Sequence, residues 1–229
     1  MTDQGDTTSA VPAAAPSGAA AVFGDRMPAA IRFVEILADT GVTHGLIGPR
    51  EVPRLWERHV LNCAVIEDAF PQGAKLIDVG SGAGLPGVAL AIARPDLDIH
   101  LVEPMQRRTD WLTTTVTNLG LDNVTVHRGR AEEFVGVLSA PWLTARAVAR
   151  IAKLARWCVP LLDGRGTVVA MKGRSAQEEL EADRRELNKL GLVEAAITSH
   201  GSTVLDEPTL TLDLTFQPKT RVAKGKKKR

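Results

Sequence analysis

Three alternating glycines between two acidic residues are the part of this sequence best suited to chemistry. The segment reads Asp78-Val79-Gly80-Ser81-Gly82-Ala83-Gly84-Leu85-Pro86-Gly87, and a second acid, Glu103, follows twenty-one residues after Gly82. Glycine allows backbone angles that a Cβ forbids, so such a run makes a tight turn and lets a ligand approach the main chain. Ahead of it, KLIDVG is a short apolar run that reads as a buried parallel strand. Behind it, LPGVALAIAR reads as a helix with Pro86 in its first turn, where a missing N–H costs nothing. A ligand between the two lies at the carboxyl edge of a sheet, where open α/β folds bind ligands. Glu103 ends a second strand, DIHLVE, and can accept hydrogen bonds from both hydroxyls of an adenosine ribose.

Two ligand classes fit that geometry. Counted from Gly82, the glycines spell G-x-G-x-x-G with an acid at the distance expected of a dinucleotide site. Counted from Asp78, they spell D-x-G-x-G-x-G, the first motif of S-adenosylmethionine methyltransferases. Charge separates the two. A pyrophosphate wants N–H groups and no nearby carboxylate, whereas S-adenosylmethionine carries an α-ammonium and a sulfonium that Asp78 attracts. The methyl donor is the preferred cofactor. An NAD-dependent oxidoreductase is the alternative, and it calls for a proton-relay Tyr or His near the fourth strand; the chain has no Tyr. A Walker loop is excluded, because no Gly-Lys-Ser/Thr follows.

The elements that position these residues alternate in type. Residues 1–22 are poor in large apolar side chains and read as a flexible tail. Residues 23–71 read as helical: a stripe of Ile31, Val34 and Leu37 closed by Gly41, then a second amphipathic helix from Val52 to before Pro71. From residue 72, strands KLIDVG, DIHLVE, NVTVH, LTARAV and GTVVAMKG alternate with helices. One of those helices carries Met105, Leu112, Val116 and Leu119 and stops at Gly120. Two final strands, VEAAITSH and TLTLDLTF, are joined without a helix and read as an antiparallel edge pair, the latter with one exposed face. The expectation is an α/β, Rossmann-like, mostly parallel seven-stranded sheet with an antiparallel C-terminal pair, preceded by helices and filling residues 72–218. Trp111 and Trp157 are placed in the core.

Composition bounds the rest. The 229 residues are 44% hydrophobic and 24% charged, enough for a packed core. Nothing approaches 18 unbroken apolar residues, and the acidic N-terminus is no secretory signal, so no membrane attachment is expected. The two cysteines, Cys63 and Cys158, lack CxxC spacing, which excludes a zinc ribbon and fits a reducing cytoplasm. The net charge of +1 hides an asymmetry: residues 219–229 carry seven bases and no acid, leaving the remainder at −6. That segment reads equally as a polyanion-binding tail or as a solubilising terminus. No metal is expected, and nothing demands more than a monomer.

Further residues are informative together. RGRAEEF follows the third strand, where an acid or amide can meet an adenine amine; by themselves Glu132 and Glu133 read as acids at a helix start. Arg146 is a base in an otherwise apolar fourth strand, either orienting a ligand with its fork of donors or closing a strand-end salt bridge. DVGSGAGLPG, VEPMQRR, RGRAEEF, TARAVA and VAMKG, with WERHVLNC upstream, resemble the ribosomal RNA small subunit methyltransferase G family, also called glucose-inhibited division protein B. The likeness runs from about Gly41 to Lys172.

The resemblance implies a class I S-adenosylmethionine-dependent methyltransferase. It would modify N7 of a guanine, position 527 in standard rRNA numbering, in the decoding-region loop of 16S rRNA. It implies Gly80, Leu85, Ala131, Glu132 and Arg146 as cofactor contacts, beside Asp78, Gly82 and Glu103, with Arg146 as the orienting residue. Partners would be 16S rRNA or the small ribosomal subunit. Arg58 and His59, Arg107 and Arg108, and Lys172 are candidate RNA contacts; with Arg128, Arg130 and Arg174 the latter bases form a rim at the strand ends. A histidine on an amphipathic helix is also commonly a packed one. The chain departs from the family pattern at Gly45, where Asn is usual, and at Asn62, where Asp is usual. A non-catalytic RNA-binding assembly factor with this fold is the remaining alternative.

Overall fold

Alternate residues of the central strands face two separate apolar layers, which is why those strands read as unbroken apolar runs. The computed structural model describes residues 11–146 and 149–218. Its strands are β1 (Lys75–Val79), β2 (Asp98–Glu103), β3 (Val124–Arg128), β4 (Ala140–Arg146), β5 (Leu162–Lys172), β6 (Leu192–His200) and β7 (Thr209–Phe216). They form one sheet in the order β3-β2-β1-β4-β5-β7-β6. β1 to β5 pair in parallel, and β7 runs antiparallel to both β5 and β6. The helices are α1 (Ala19–Phe23), α2 (Met27–Ile36), α3 (Leu61–Ala64), α4 (Gly87–Ala93), α5 (Gln106–Leu119), α6 (Ile151–Cys158) and α7 (Ala176–Lys189).

Leu76, Ile99, Leu101 and Val169 pack toward α4, α5 and the N-terminal helices. Ile77, Val102, Leu143 and Val168 pack with α6 and α7 on the other side. α4 lies beneath the N-terminal helices, and its residues 87–92 are all buried.

Several expectations need correction. The tail expected over 1–22 ends earlier: Ala19 and Phe23 are buried in α1, and a Cβ on Gly18 would sit 2.8 Å from the Val204 carbonyl oxygen. Small residues pack closely there, so the absence of large apolar side chains misleads. Residues 1–10 lie outside the described residues, as do 219–229 with their seven bases. The second N-terminal helix is broken into a 3-10 turn at Pro49–Arg54, a π turn at Leu55–Val60, α3, and a further 3-10 turn at Val65–Ala69. Pro53, with no N–H, sits inside the first turn. Ile31 and Met105 are exposed, whereas Phe33 and Ala30 carry the buried face of α2. Trp111 is buried and donates to Thr40 Oγ1 at 2.9 Å, while Trp157 is only half-buried beneath the Lys153 ammonium. β7 has no solvent-exposed face, because Thr209 and Thr211 are buried. The Thr209 hydroxyl donates to the Asn62 carbonyl, and Thr211 Oγ1 bonds His200 Nε2 at 2.8 Å. His200 Nδ1 in turn meets Asp68 at 2.6 Å. The N-terminal segment thus covers the polar stripe that alternation assigns to water.

Candidate active site

The turn after β1 is held by main-chain bonds: Gly80 and Ser81 N–H groups donate to the Val102 carbonyl of β2. Gly80, Gly82 and Gly84 take φ values of 78°, 54° and 78°. The glycines serve different ends. A Cβ on Gly82 would meet only the Gly80 carbonyl oxygen, at 3.8 Å, so open space lies over it. A Cβ on Gly84 would fall 2.5 Å from Val88 Cγ2, and one on Gly87 would fall 2.3 Å from Leu101 Cδ2 and 2.7 Å from Asp78 Oδ2. Gly82 therefore faces open space on the ligand side, while Gly84 and Gly87 let α4 approach the sheet. Gly87→Ala is expected to lower the melting temperature more than Gly82→Ala. The former forces buried atoms apart; the latter strains one left-handed residue by about 1–2 kcal/mol. Thermal unfolding of the two variants checks the order.

Two carboxylates flank this turn. Asp78 is fully buried; Oδ2 accepts the Gly87 N–H at 3.0 Å, and Oδ1 has no partner. Burial pushes its pKa up to about 7, against the opposing pull of the Gly87 N–H and the Arg146 charge. Glu103 is 2% exposed and accepts the Gly82 N–H at 3.1 Å through Oε2 and the Met105 N–H at 3.0 Å through Oε1. Arg108 Nη1 lies 3.7 Å from Glu103 Oε2. Glu103 is therefore already oriented at the mouth of the turn, with lone pairs left for a hydroxyl donor. Leu85 is buried beneath the turn. Ala131 is buried just after β3 and Glu132 beside it is exposed, whereas Glu133 caps the turn by accepting the Arg130 N–H at 3.1 Å. A buried carboxylate with a spare oxygen, an open glycine turn and a second carboxylate at the next strand end suit a nucleoside bearing an ammonium group.

Next to the turn, at the ends of β4 and β5 and the start of β7, lies a groove of about 1190 Å³. It does not include the glycine turn; Arg146 is on its wall, one strand away. Arg146 Nη1 donates to the Arg58 carbonyl (3.2 Å) and to Cys63 Sγ (3.4 Å), and Nη2 donates to His59 Nδ1 (2.8 Å). A guanidinium carries only donors, so His59 Nδ1 is the acceptor and its proton sits on Nε2, which donates to Glu51 Oε2 at 3.0 Å. Burial and the Arg146 charge hold the His59 pKa below its ordinary value. Burial pushes the Cys63 thiol up to about 11. The bland alternative for Arg146, a strand-end salt bridge, is not what its contacts show: all three go to neutral acceptors.

The other candidate bases are dispersed. Lys172 donates inward to the Ala149 carbonyl and to Glu179, both at 2.8 Å, which holds the end of β5 rather than presenting a free cation. Arg174 pairs with Glu207 across exposed loops, and Arg58 contacts Glu51. Arg107 is exposed and borders a separate cavity between α2 and α5. The rim of the groove thus mixes Arg58, Arg146, Lys172 and Arg174 with Glu51, Glu57, Asp206 and Glu207. Glu51 was not legible from the sequence, since nothing in PREVPR marks it. Gly45 has φ 65°, a conformation that Asn and Gly both adopt readily, so that departure keeps the turn. Asn62 lines the groove. Among the described residues no helix is long and apolar enough to cross a membrane, and no cluster of three metal-ligating side chains forms.

Comparison with known proteins shows the family and the fold. The model of the family described as rRNA small subunit methyltransferase G matches residues 26–207. A ribosomal RNA small subunit methyltransferase G of Pseudarthrobacter chlorophenolicus is 57% identical over 188 residues, covering 82% of this chain and 87% of that one. One from an Arthrobacter species is 52% identical over 213 residues, covering 93% and 99%. Among solved structures, a putative S-adenosyl-L-methionine-dependent methyltransferase of Methanococcus maripaludis superposes with a TM-score of 0.55 at 14% identity, covering 84% of this chain and 94% of that one. At that identity it shows the shared fold.

Proposed function

The chain belongs to the rRNA small subunit methyltransferase G family, and from that premise we propose that it methylates N7 of guanine 527 in the decoding-region loop of 16S rRNA. The chain is an S-adenosylmethionine-dependent rRNA methyltransferase. The observation that carries the reading is Asp78: a buried carboxylate with a free oxygen beside an open glycine turn suits a cationic cofactor and repels a pyrophosphate.

When bound, S-adenosylmethionine supplies an electrophilic methyl group on a cationic sulfur. Asp78 is placed to take its ammonium, Glu103 its ribose hydroxyls, and the segment after β3, with Ala131 and Glu132, its adenine. Gly80, Gly82 and Leu85 form the floor. Guanine N7 has a lone pair and no proton, so no residue need act as a general base. The chain's task is alignment, which can supply much of the acceleration. Arg146 stands between the turn and the groove, and two of its five N–H groups have no partner among the described residues. Those donors are available to guanine O6 or to the cofactor. The groove beside it receives the RNA loop, with Arg58 and Arg174 on its walls, and the bases of 219–229 add sequence-independent attraction to phosphates. The site of action is the cytoplasm, and the working form a monomer.

The test uses small ribosomal subunits from cells lacking this protein, labelled S-adenosylmethionine and nuclease mapping of the product. One methyl per subunit on N7 of that guanine is expected. Binding without transfer would mark an assembly factor, and tight NAD binding would mark an oxidoreductase.

A further inference from the structure

We propose that Glu51 and His59 are positioning residues for methyl transfer, locking the Arg146 guanidinium in the one orientation that leaves its remaining donors aimed at the reacting groups. The inference rests on the functional reading of Arg146 given above. The three residues come from separate elements: Glu51 from the turn Pro49–Arg54, His59 from Leu55–Val60 and Arg146 from the end of β4. A long arginine side chain gives up much rotamer freedom to hold one pose. Here the pose is fixed from the N-terminal segment, by His59 Nδ1 at 2.8 Å, the Arg58 carbonyl at 3.2 Å and Cys63 Sγ at 3.4 Å.

The His59 contact is conditional on Glu51. A neutral imidazole has two tautomers, and only the one protonated at Nε2 offers Nδ1 as an acceptor. Glu51 Oε2, 3.0 Å from Nε2, selects that tautomer because a carboxylate can only accept. Without Glu51 the other tautomer becomes accessible and turns an N–H against the guanidinium. Protonation of His59 has the same result, since both ring nitrogens then donate. The charged groups facing this ring are Arg146 from β4, Glu51 from the preceding turn and Arg58 from its own segment, while Arg54 acts on Glu51. The neighbouring thiol of Cys63 is neutral at physiological pH. Arg146 and burial favour the neutral ring, and Glu51 favours the charged one.

The experiment follows kcat, the KM for subunits and the pH dependence of kcat at saturating S-adenosylmethionine for the full chain and for Glu51→Ala, Glu51→Gln, Arg146→Ala and the Glu51→Ala/Arg146→Ala pair. Glu51→Ala is expected to lower kcat about 10-fold with little change in KM, as loss of one charge-assisted hydrogen bond would. It should also move the acid limb of the profile to lower pH, because nothing then stabilises the imidazolium. Glu51→Gln keeps an acceptor for Nε2–H, so it should recover most of kcat at pH 8 while its acid limb stays displaced. In the Arg146→Ala background, losing Glu51 should cost nothing further, since residues acting through one group are not additive. A merely structural Glu51 would not move the acid limb, and its loss would multiply with that of Arg146; either result overturns the proposal. If Glu51→Ala does not fold, as judged by its melting curve, the Gln variant decides by the same acid limb. A wild-type chain that transfers no methyl overturns the functional reading itself, whereas normal transfer with unchanged Glu51 variants overturns only the positioning role.

Discussion

Arg146→Ala is expected to lower methyl transfer at saturating cofactor by about 100-fold, with a far smaller loss of stability. Two terms set the size. One hydrogen bond from a charged donor is worth about 1.5–3 kcal/mol, or roughly 10–150-fold in rate when it is made in the transition state. Loss of the guanidinium also removes the partner that holds His59 and the cation that offsets the buried charge of Asp78. The stability term is smaller because Arg146 is half-buried and its desolvation cost disappears with it. Its three hydrogen-bond acceptors are neutral, and the Asp78 carboxyl left without this cation relieves its buried charge by taking up a proton. Arg146→Lys is the sharper control. An ammonium keeps the charge but cannot span His59, the Arg58 carbonyl and a ligand from one planar group, so it should restore little activity. Single-turnover rates and melting curves for both variants check this. Wild-type turnover by Arg146→Ala would make the residue structural and remove it from the site.

The parts of the site legible in the sequence are those fixed by local geometry. A glycine run between an apolar strand and an apolar helix can only be the turn at a sheet edge, so the residue order alone places Asp78, Gly80 and Gly82. The distance from Gly82 to Glu103 is likewise set by one helix and one strand, α4 and β2. What was hidden depends on contacts between distant segments. The Gly84 and Gly87 requirements come from Val88, Leu101 and Asp78 pressing on the chain, and a ligand fingerprint alone cannot tell them from Gly82. Arg146 reads as an anomalous base in a strand, but its partners Arg58, His59 and Cys63 lie 83 to 88 residues away. Lys172 reads as a rim cation until Glu179 and the Ala149 carbonyl are seen to hold it. The alternation of β7 signals a wet face only if nothing covers it, and His200, Asp68 and the Asn62 carbonyl belong to other elements.

Asp78→Asn is expected to weaken S-adenosylmethionine binding by about 100-fold and to abolish its dependence on pH near neutrality. The carboxyl is fully buried, and burial lifts its pKa to about 7, so in the free chain about half the molecules are neutral there. Only the ionised form attracts the ammonium. Affinity in the wild type should therefore rise as pH increases through 7, and binding at pH 6 should release close to one proton. Calorimetry in buffers of different ionisation enthalpy measures that proton directly. Removing one partner of a buried ion pair costs about 3–5 kcal/mol at full burial, which makes a 100-fold loss a conservative figure. Stability should move the other way. An acid whose folded pKa is raised above its unfolded value contributes fully below the unfolded pKa, and that contribution is lost as pH rises through about 7. The ligand-free wild type should thus lose stability between pH 6 and pH 8 through this group, and the Asn variant, which keeps an acceptor for the Gly87 N–H, should not. Cofactor affinity that is flat from pH 6 to 8 in the wild type, or equal in wild type and variant, would show that Asp78 only buttresses the turn, as its bond to Gly87 already does.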